Sequence, residues 1–414
     1  MSHIEPDGHI APRARPPFEC VALLLQGGGA LGAYQAGVYQ AMAEADLHPD
    51  WVAGISIGAI NAAIIAGNPP GQRVEKLSAF WTSITTDSIF DWNLPFIKAY
   101  GQALYNMFGN NEIMRGFWNE ASAGSVLTGG ASGFFSPRML PPWFSPSATM
   151  DAISFYDTAA LKGTLEQLVD FDRINAAETR LSIGAVDIEL GNLRYFDNVR
   201  NRESNAAGKD RIGPEHIMAS GALPPGFPPV AIPDESGKMR YYWDGGLVSN
   251  TPLQWVFDQE PRMDTLAFQI DLWSARGMLP SDIADVIARE KEVRFSSRTR
   301  AATELFRRLQ ILRRMTNKLM SDIPDSAKQT EEGERLSHFG DDKVYTLVHL
   351  IYRSKTWETQ SKDYEFSGLS MRDHWRAGYE DAARALGCED IYQRPTNLEG
   401  LRIFDGNVEQ AVRK

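Results

Sequence analysis

Apolar and polar positions alternate along the chain in blocks that read as strands and helices. Glu19 to Leu25 is a short apolar run of the kind that makes a buried strand, and it stops at Gln26-Gly27-Gly28-Gly29. From Leu31 the apolar residues Tyr34, Val38, Met42 and Ala45 recur at three- and four-residue steps, which predicts a helix with one inward face as far as His48-Pro49. Trp51 to Ala53 predicts a second strand; it runs into Gly54-Ile55-Ser56-Ile57-Gly58, and Ala59 to Ala66 predicts a helix of small residues. Strand, glycine turn and helix thus occur twice in fifty residues, a pattern that argues for an α/β sheet covered by helices. Further strands are predicted at Leu181 to Ile188 and Leu193 to Phe196, joined through Gly191-Asn192 as a hairpin, at Leu266 to Asp271 and at Val344 to Tyr352. Tyr241-Tyr242-Trp243 leads into Asp244-Gly245-Gly246. A long helical region should begin after Pro280 with Ser281 or Asp282 as its cap, and Ser370 to Leu386 predicts a last helix.

One region breaks the pattern. Residues 93 to 146 hold five charged residues and ten aromatics amid Gly, Ser and Pro, and are expected to form an irregular aromatic insertion. Its pairs Phe117-Trp118, Phe134-Phe135 and Trp143-Phe144 suit either a lipid-facing patch or a segment folded over its own rings. Met1 to Pro17 reads as a flexible leader.

Composition narrows the classes. With 414 residues, 43% of them apolar, the chain can bury a large core. The longest weakly polar stretch, Gly54 to Gly67, is too short to span a bilayer, which takes roughly 20 apolar residues. The leader has no apolar core of a signal peptide, and two cysteines, Cys20 and Cys388, make no disulfide framework. The expectation is a reducing, cytoplasmic setting, with peripheral membrane contact allowed. A net charge of −11 opposes a role in binding nucleic acid. Against that balance, Lys291 to Lys318 carries nine basic residues and two acidic ones. Leu305, Phe306, Leu309, Leu312 and Met315 keep helical spacing there, so this basic helix would lie on anionic lipid or pack on the acidic remainder of the chain, the second being favoured.

The glycine turns carry the candidate chemistry. In Gly54-x-Ser56-x-Gly58 the small residues permit the sharp strand-to-helix turn that exposes a central hydroxyl, so Ser56 is a candidate nucleophile. Gly27, Gly28 and Gly29 could turn backbone N–H groups toward a tetrahedral intermediate. Gly27, Gly29 and Gly32 also match a dinucleotide-binding spacing, but no acid closes a second strand about 20 residues on; a P-loop fails for want of Gly-Lys-Ser/Thr. Asp244-Gly245-Gly246 is either a proton acceptor for Ser56 at a strand end or an ordinary turn.

In chain order, Gln26 to Gly32, Gly54 to Gly58, Ala219-Ser220-Gly221-Ala222-Leu223-Pro224 with Phe227-Pro228-Pro229-Val230, and Asp244 to Gly246 are similar to the motifs of patatin-like phospholipases. The resemblance covers roughly Phe18 to Asp271. It implies a three-layer α/β/α fold with a mostly parallel central sheet over residues 18 to 277, followed by a largely helical extension over 278 to 414. It further implies a serine lipid acyl hydrolase without cofactor or metal, with Ser56 and Asp244 as a catalytic dyad, Gly27, Gly28 and Gly29 as the oxyanion hole, and Gly54 and Gly58 as the nucleophile elbow. Gln26 and Leu31 depart from the Asp and the Arg or Lys found in many members, which bears on recognition of a phosphate headgroup. His216, His338, His349 and His374 are assigned no catalytic role. The alternative is an idle scaffold that docks to membranes or partners.

Overall fold

A computed structural model describes residues 10, 12–85, 112–147, 149–199, 210–355 and 357–405. Most of the expected leader, and the insertion before residue 112, lie outside the described residues. Nine strands form one sheet: β1 (Cys20–Leu25), β2 (Trp51–Ile55), β3 (Arg180–Asp187), β4 (Leu193–Asp197), β5 (Val230–Pro233), β6 (Met239–Asp244), β7 (Thr265–Asp271), β8 (Tyr345–Ile351) and β9 (Leu401–Asp405). Their order is β9-β8-β7-β1-β2-β3-β6-β5, with β4 also on β3. From β9 to β3 every pairing is parallel, and β4, β6 and β5 close one end antiparallel. The fold is therefore α/β with a mostly parallel central sheet.

The central strands are buried on both faces, which is why β1 reads as a continuous apolar run and not as an alternation. Val21, Leu23 and Leu25 point into one core with α1 (Ala33–Glu44), α2 (Ile57–Ala66) and α3 (Pro70–Ile84). Cys20, Ala22 and Leu24 face a second core, closed by the helix Leu253–Asp258 and by Phe306.

The region beyond residue 278 is largely helical, and it also supplies β8 and β9 to the sheet. Its long helix, Ile283–Asp322, is capped by Asp282, whose side chain accepts from the Asp285 N–H at 2.9 Å. It starts beside the carboxyl ends of the central strands, where Phe295 stacks near Trp273, and runs toward their amino ends, where Phe306 packs on Tyr345. Gly368–Leu386, capped by Ser367, packs along α1 through Gly37 and Gly378; a Cβ at Gly378 would sit 1.9 Å from the Tyr34 carbonyl oxygen.

Two expectations are refined here. The insertion contains an 18-residue helix, Glu112–Gly129, which its Gly and Ser content hid. Buried Ala123 and Val126 supply the packing that low helix propensity does not. The basic stretch spends its charge on this chain: Arg307 pairs with Glu399 at 2.8 Å, Arg308 with Glu304 at 2.9 Å and Arg313 with Asp258 at 3.2 Å, and Arg314 donates to the Asp342 and Leu398 carbonyls.

Candidate active site

The site is assembled at the carboxyl ends of β1, β2 and β3, where open parallel sheets place their ligands. After β2 the chain reverses at Ser56, whose φ of 57° and ψ of −125° are a strained pair for a residue with a side chain. Glycine on either side makes the reversal possible. A Cβ at Gly54 would lie 2.3 Å from the Gly58 carbonyl oxygen, and one at Gly58 would lie 2.3 Å from that of Leu25. The strained serine is held from outside its own turn. Its N–H donates to Ser220 Oγ at 2.9 Å, and the Ser220 hydroxyl donates onward to the Gly184 carbonyl at 2.6 Å. α2 starts directly after Ser56, so its amino end, with the positive end of its dipole, faces the same space.

Asp244 ends β6 opposite Ala185 of β3 and is buried. Its N–H donates to the Ala222 carbonyl at 3.0 Å, so the segment from Ser220 to Ala222 fastens both Ser56 and Asp244. The carboxylate accepts the Gly246 N–H at 2.7 Å, and the nearby Ser56 hydroxyl, acting as a donor, favours its ionised form. Burial pushes its pKa up to about 6, against the pull of these two donors toward the ionised form.

The glycine loop after β1 divides. Both backbone groups of Gly27 are committed: its N–H donates to the Asn250 carbonyl at 3.3 Å, and its carbonyl accepts Asn250 Nδ2 and Trp273 Nε1, each at 2.9 Å. The N–H groups of Gly28 and Gly29 have no acceptor among the described residues. Of the three glycines expected to line an oxyanion hole, the geometry thus leaves Gly28 and Gly29 with donors to offer, and gives Gly27 the task of anchoring the loop. Gly29 has a φ of +56°, and a Cβ there would lie 2.0 Å from the Asp363 carbonyl oxygen, which accepts the Ala30 N–H at 2.8 Å.

Asp363 belongs to the C-terminal region and is itself fixed. Lys291 Nζ donates to both its carboxylate oxygens, at 2.8 and 3.0 Å, while Lys362 Nζ bonds Glu292 at 2.6 Å. Two adjacent residues of the long helix are thereby crossed with two adjacent residues of the segment lying over the glycine loop. Gln26 makes a further tie. Its Oε1 accepts the N–H groups of Leu272 and Trp273 at 2.6 and 3.2 Å, and its Nε2 donates to Thr251 Oγ1 at 3.2 Å and to the Phe295 carbonyl at 3.4 Å. An amide can accept and donate at once, whereas an ionised Asp in its place would only accept. Leu31 is fully buried in the core.

The four histidines lie in other networks. His216 Nδ1 accepts from the Gly213 N–H at 3.0 Å, His338 pairs with Glu260 at 3.0 Å, His349 with Asp271, and His374 with Glu358 at 2.6 Å. Among the described residues, no group of three His, Cys, Asp or Glu side chains is placed to hold a metal ion. Ser220, Asn250, Trp273 and Asp363 are positioning residues that no expectation from the sequence covers. Ser220 stood inside a quoted motif and Asn250 follows Asp244 by six positions, but nothing local marks Trp273 or Asp363.

A family model described as patatin-like phospholipase matches residues 23–256, and a second, described as patatin phospholipase, matches residues 293–398. The chain is 32% identical over 109 residues to "Lysophospholipase nte1" of Aspergillus terreus, a match covering 24% of this chain and 7% of that protein's length. Its structure is similar to that of VipD from Legionella pneumophila with a TM-score of 0.36 and 13% identity, over 91% of this chain and 71% of the other.

Proposed function

Because the chain belongs to the patatin-like phospholipase family, we propose that it hydrolyses carboxylic esters of lipids with Ser56 as nucleophile and Asp244 as general base. What supports this reading is the strained strand-to-helix turn that presents Ser56 beside the buried Asp244 carboxylate, whose pKa burial pushes up to about 6, close to what a base working near neutral pH needs. The Ser56 oxygen attacks the ester carbonyl carbon while its proton passes to Asp244. The negative charge that develops on the carbonyl oxygen is met by the N–H groups of Gly28 and Gly29 and by the amino end of α2. Collapse of the intermediate breaks the bond to the leaving alcohol, which takes the proton from Asp244 and leaves an acyl ester on Ser56. Asp244 then accepts a proton from water as the water attacks that ester. The second intermediate collapses to free fatty acid, and the proton returns to Ser56.

The similarity to a lysophospholipase, together with the family, favours phospholipid or lysophospholipid esters as substrates. Among the described residues no helix is long and apolar enough to cross a membrane, so contact with a lipid aggregate would be made from the surface.

A fluorophosphonate probe and a water-soluble p-nitrophenyl ester test the assignment. Ser56 should carry the probe adduct, and Ser56→Ala should lose adduct and ester hydrolysis together. An unlabelled wild type, or equal rates in the two proteins, would return the chain to the scaffold alternative.

A further inference from the structure

Two groups of strongly exposed apolar residues lie near the catalytic end of the sheet, apart from those on the remote half of the long helix such as Leu312 and Leu319. From Met139 to Phe155 the chain forms a projecting tip. Met139 is 100% exposed and Trp143 and Phe144 are each 71% exposed, with Leu140, Ile153 and Phe155 beside them. The tip is a built feature. Arg138 pairs with Asp151 and donates to Ser154 Oγ at 3.1 Å, its N–H donates to the Phe155 carbonyl at 3.1 Å, and Trp143 packs on Phe155 with ring centroids 6.0 Å apart. Beneath it the buried Phe134, Phe135 and Phe366 and the half-buried Tyr156 and Phe227 make an aromatic base. Of the three aromatic pairs, the side chains of Phe117-Trp118 lie outside what the structure describes; Phe134-Phe135 is the footing and Trp143-Phe144 the projecting edge.

The tip is joined to the site by backbone. The N–H groups of Phe155 and Tyr156 donate to the Pro225 and Gly226 carbonyls at 3.2 and 2.9 Å, three and four residues beyond the Ala222 that holds Asp244. On the other side of the glycine loop, the chain leaving β7 exposes a second apolar tip, with Met278 and Leu279 exposed by 86% and 92% and Ile283 next to them.

We propose that these two tips are the surface through which the protein seats on an uncharged or zwitterionic lipid surface, with the Ser56 site between them facing the lipid. This rests on the lipid-hydrolase reading and adds the docking face to it. Charge argues for that occupant. Between Met139 and Phe155 the single charged residue is Asp151, which is paired, and the chain as a whole carries −11. A surface so built draws little from anionic headgroups and much from burying Trp, Phe, Met and Leu in the interfacial zone. Arg307, Arg308, Arg313 and Arg314 on the far half of the long helix are tied to this chain's own groups, and Gln310 of the same stretch donates to the Lys343 carbonyl ahead of β8, at the end of the sheet opposite Ser56. A bilayer reached by the site is not reached by them.

The full chain is mixed with phosphatidylcholine vesicles, and with vesicles containing added phosphatidylglycerol, at about 0.1 M and about 1 M salt, between which the Debye length falls from about 10 to about 3 Å. Both vesicle types should bind alike at both salt concentrations. Trp143→Ser with Phe144→Ser, and separately Met278→Ser with Leu279→Ser, should each weaken co-sedimentation at least tenfold. Leu312→Ser with Leu319→Ser, on the remote half of the long helix, should leave it unchanged. Fluorophosphonate labelling of Ser56 in every variant checks that the site is intact. Binding confined to anionic vesicles and lost in high salt overturns the proposal. So does binding unaffected by either pair, or a wild-type dimer that the Trp143 and Phe144 changes dissociate, which would make the tip a protein interface. Vesicle binding is read apart from hydrolysis, so a chain that docks but takes no probe at Ser56 refutes the catalytic reading and leaves the docking face standing.

Discussion

The turn after β2 and the turn after β1 leave neighbouring parallel strands, pass through glycines and enter helices in the same way. Their supports differ. At the nucleophile turn the decisive contacts are near in sequence: Gly54 against Gly58, and Gly58 against Leu25, with one hydroxyl, that of Ser220, reaching in from elsewhere. The glycine loop after β1 is held by Asn250 and Trp273 at Gly27, by Phe295 at Gln26 and by Asp363 at Gly29 and Ala30, all more than 200 residues further along the chain. On the proposed reading, a nucleophile needs one strained residue, and a short motif can encode that. An oxyanion hole needs its N–H groups held rigidly from several sides, and the glycine loop is held by the segment after β7, the long helix and the segment around Asp363.

The largest expected effect breaks the local turn. Gly58→Ala forces a methyl group to within 2.3 Å of a buried backbone oxygen that has no room to retreat. It should cost about 3 kcal/mol of stability or more and remove nearly all ester hydrolysis. Thermal unfolding and the p-nitrophenyl ester assay measure the two effects. A variant with wild-type Tm and activity would mean that the turn is not shaped by this contact.

This difference in support decides what could be read from the sequence. β1, β2, the hairpin of β3 and β4, the strand before Asp244 and the final helix announce themselves through apolar runs, glycine turns and helical spacing, because those signals are local. Ser56, Asp244 and the glycine loop were legible for the same reason, since each sits in a short pattern with its own backbone demand. The partition of the loop was not legible: Gly27, Gly28 and Gly29 look alike in sequence, and only Asn250 and Trp273 arriving from the far side separate the anchored glycine from the two with free donors. Asp363 acts through its carbonyl, which every residue possesses, so its identity carries no signal at all. The helix Glu112–Gly129 was hidden for a related reason, its stability coming from packing rather than from propensity.

A second prediction sharpens the nucleophile side through pH. The Asp244 carboxyl has a pKa near 6 in the folded protein against 3.8 unperturbed. Between those values the folded state holds a proton that the unfolded state has released, so stability falls as pH rises through this window and levels off above it. The full span corresponds to about 3 kcal/mol. Asp244→Asn should abolish this dependence, so the difference in Tm between wild type and variant should shift in the variant's favour from pH 4 to pH 7. In the same window kcat/KM of the wild type should rise with an apparent pKa near 6 as the base ionises. A profile flat from pH 4 to 8 would remove Asp244 from the base role.

The smallest expected effect tests the distant support of the glycine loop. Lys291→Met frees the Asp363 carboxylate and loosens the segment whose carbonyl meets Ala30 N–H, without touching Ser56 or Asp244. The lost pair is partly exposed, so the stability change should be modest, about 1 kcal/mol. Because an oxyanion hole acts on charge present only in the transition state, kcat should fall roughly tenfold while KM holds, a loss of about 1.4 kcal/mol. The pH midpoint should stay where Asp244 sets it, near 6. A merely structural pair would lower Tm and leave kcat alone, and a shifted midpoint would show that the two turns are coupled. Lys291→Arg, which can still pair with Asp363, should recover most of the rate; if it does not, the clamp acts through something other than this ion pair.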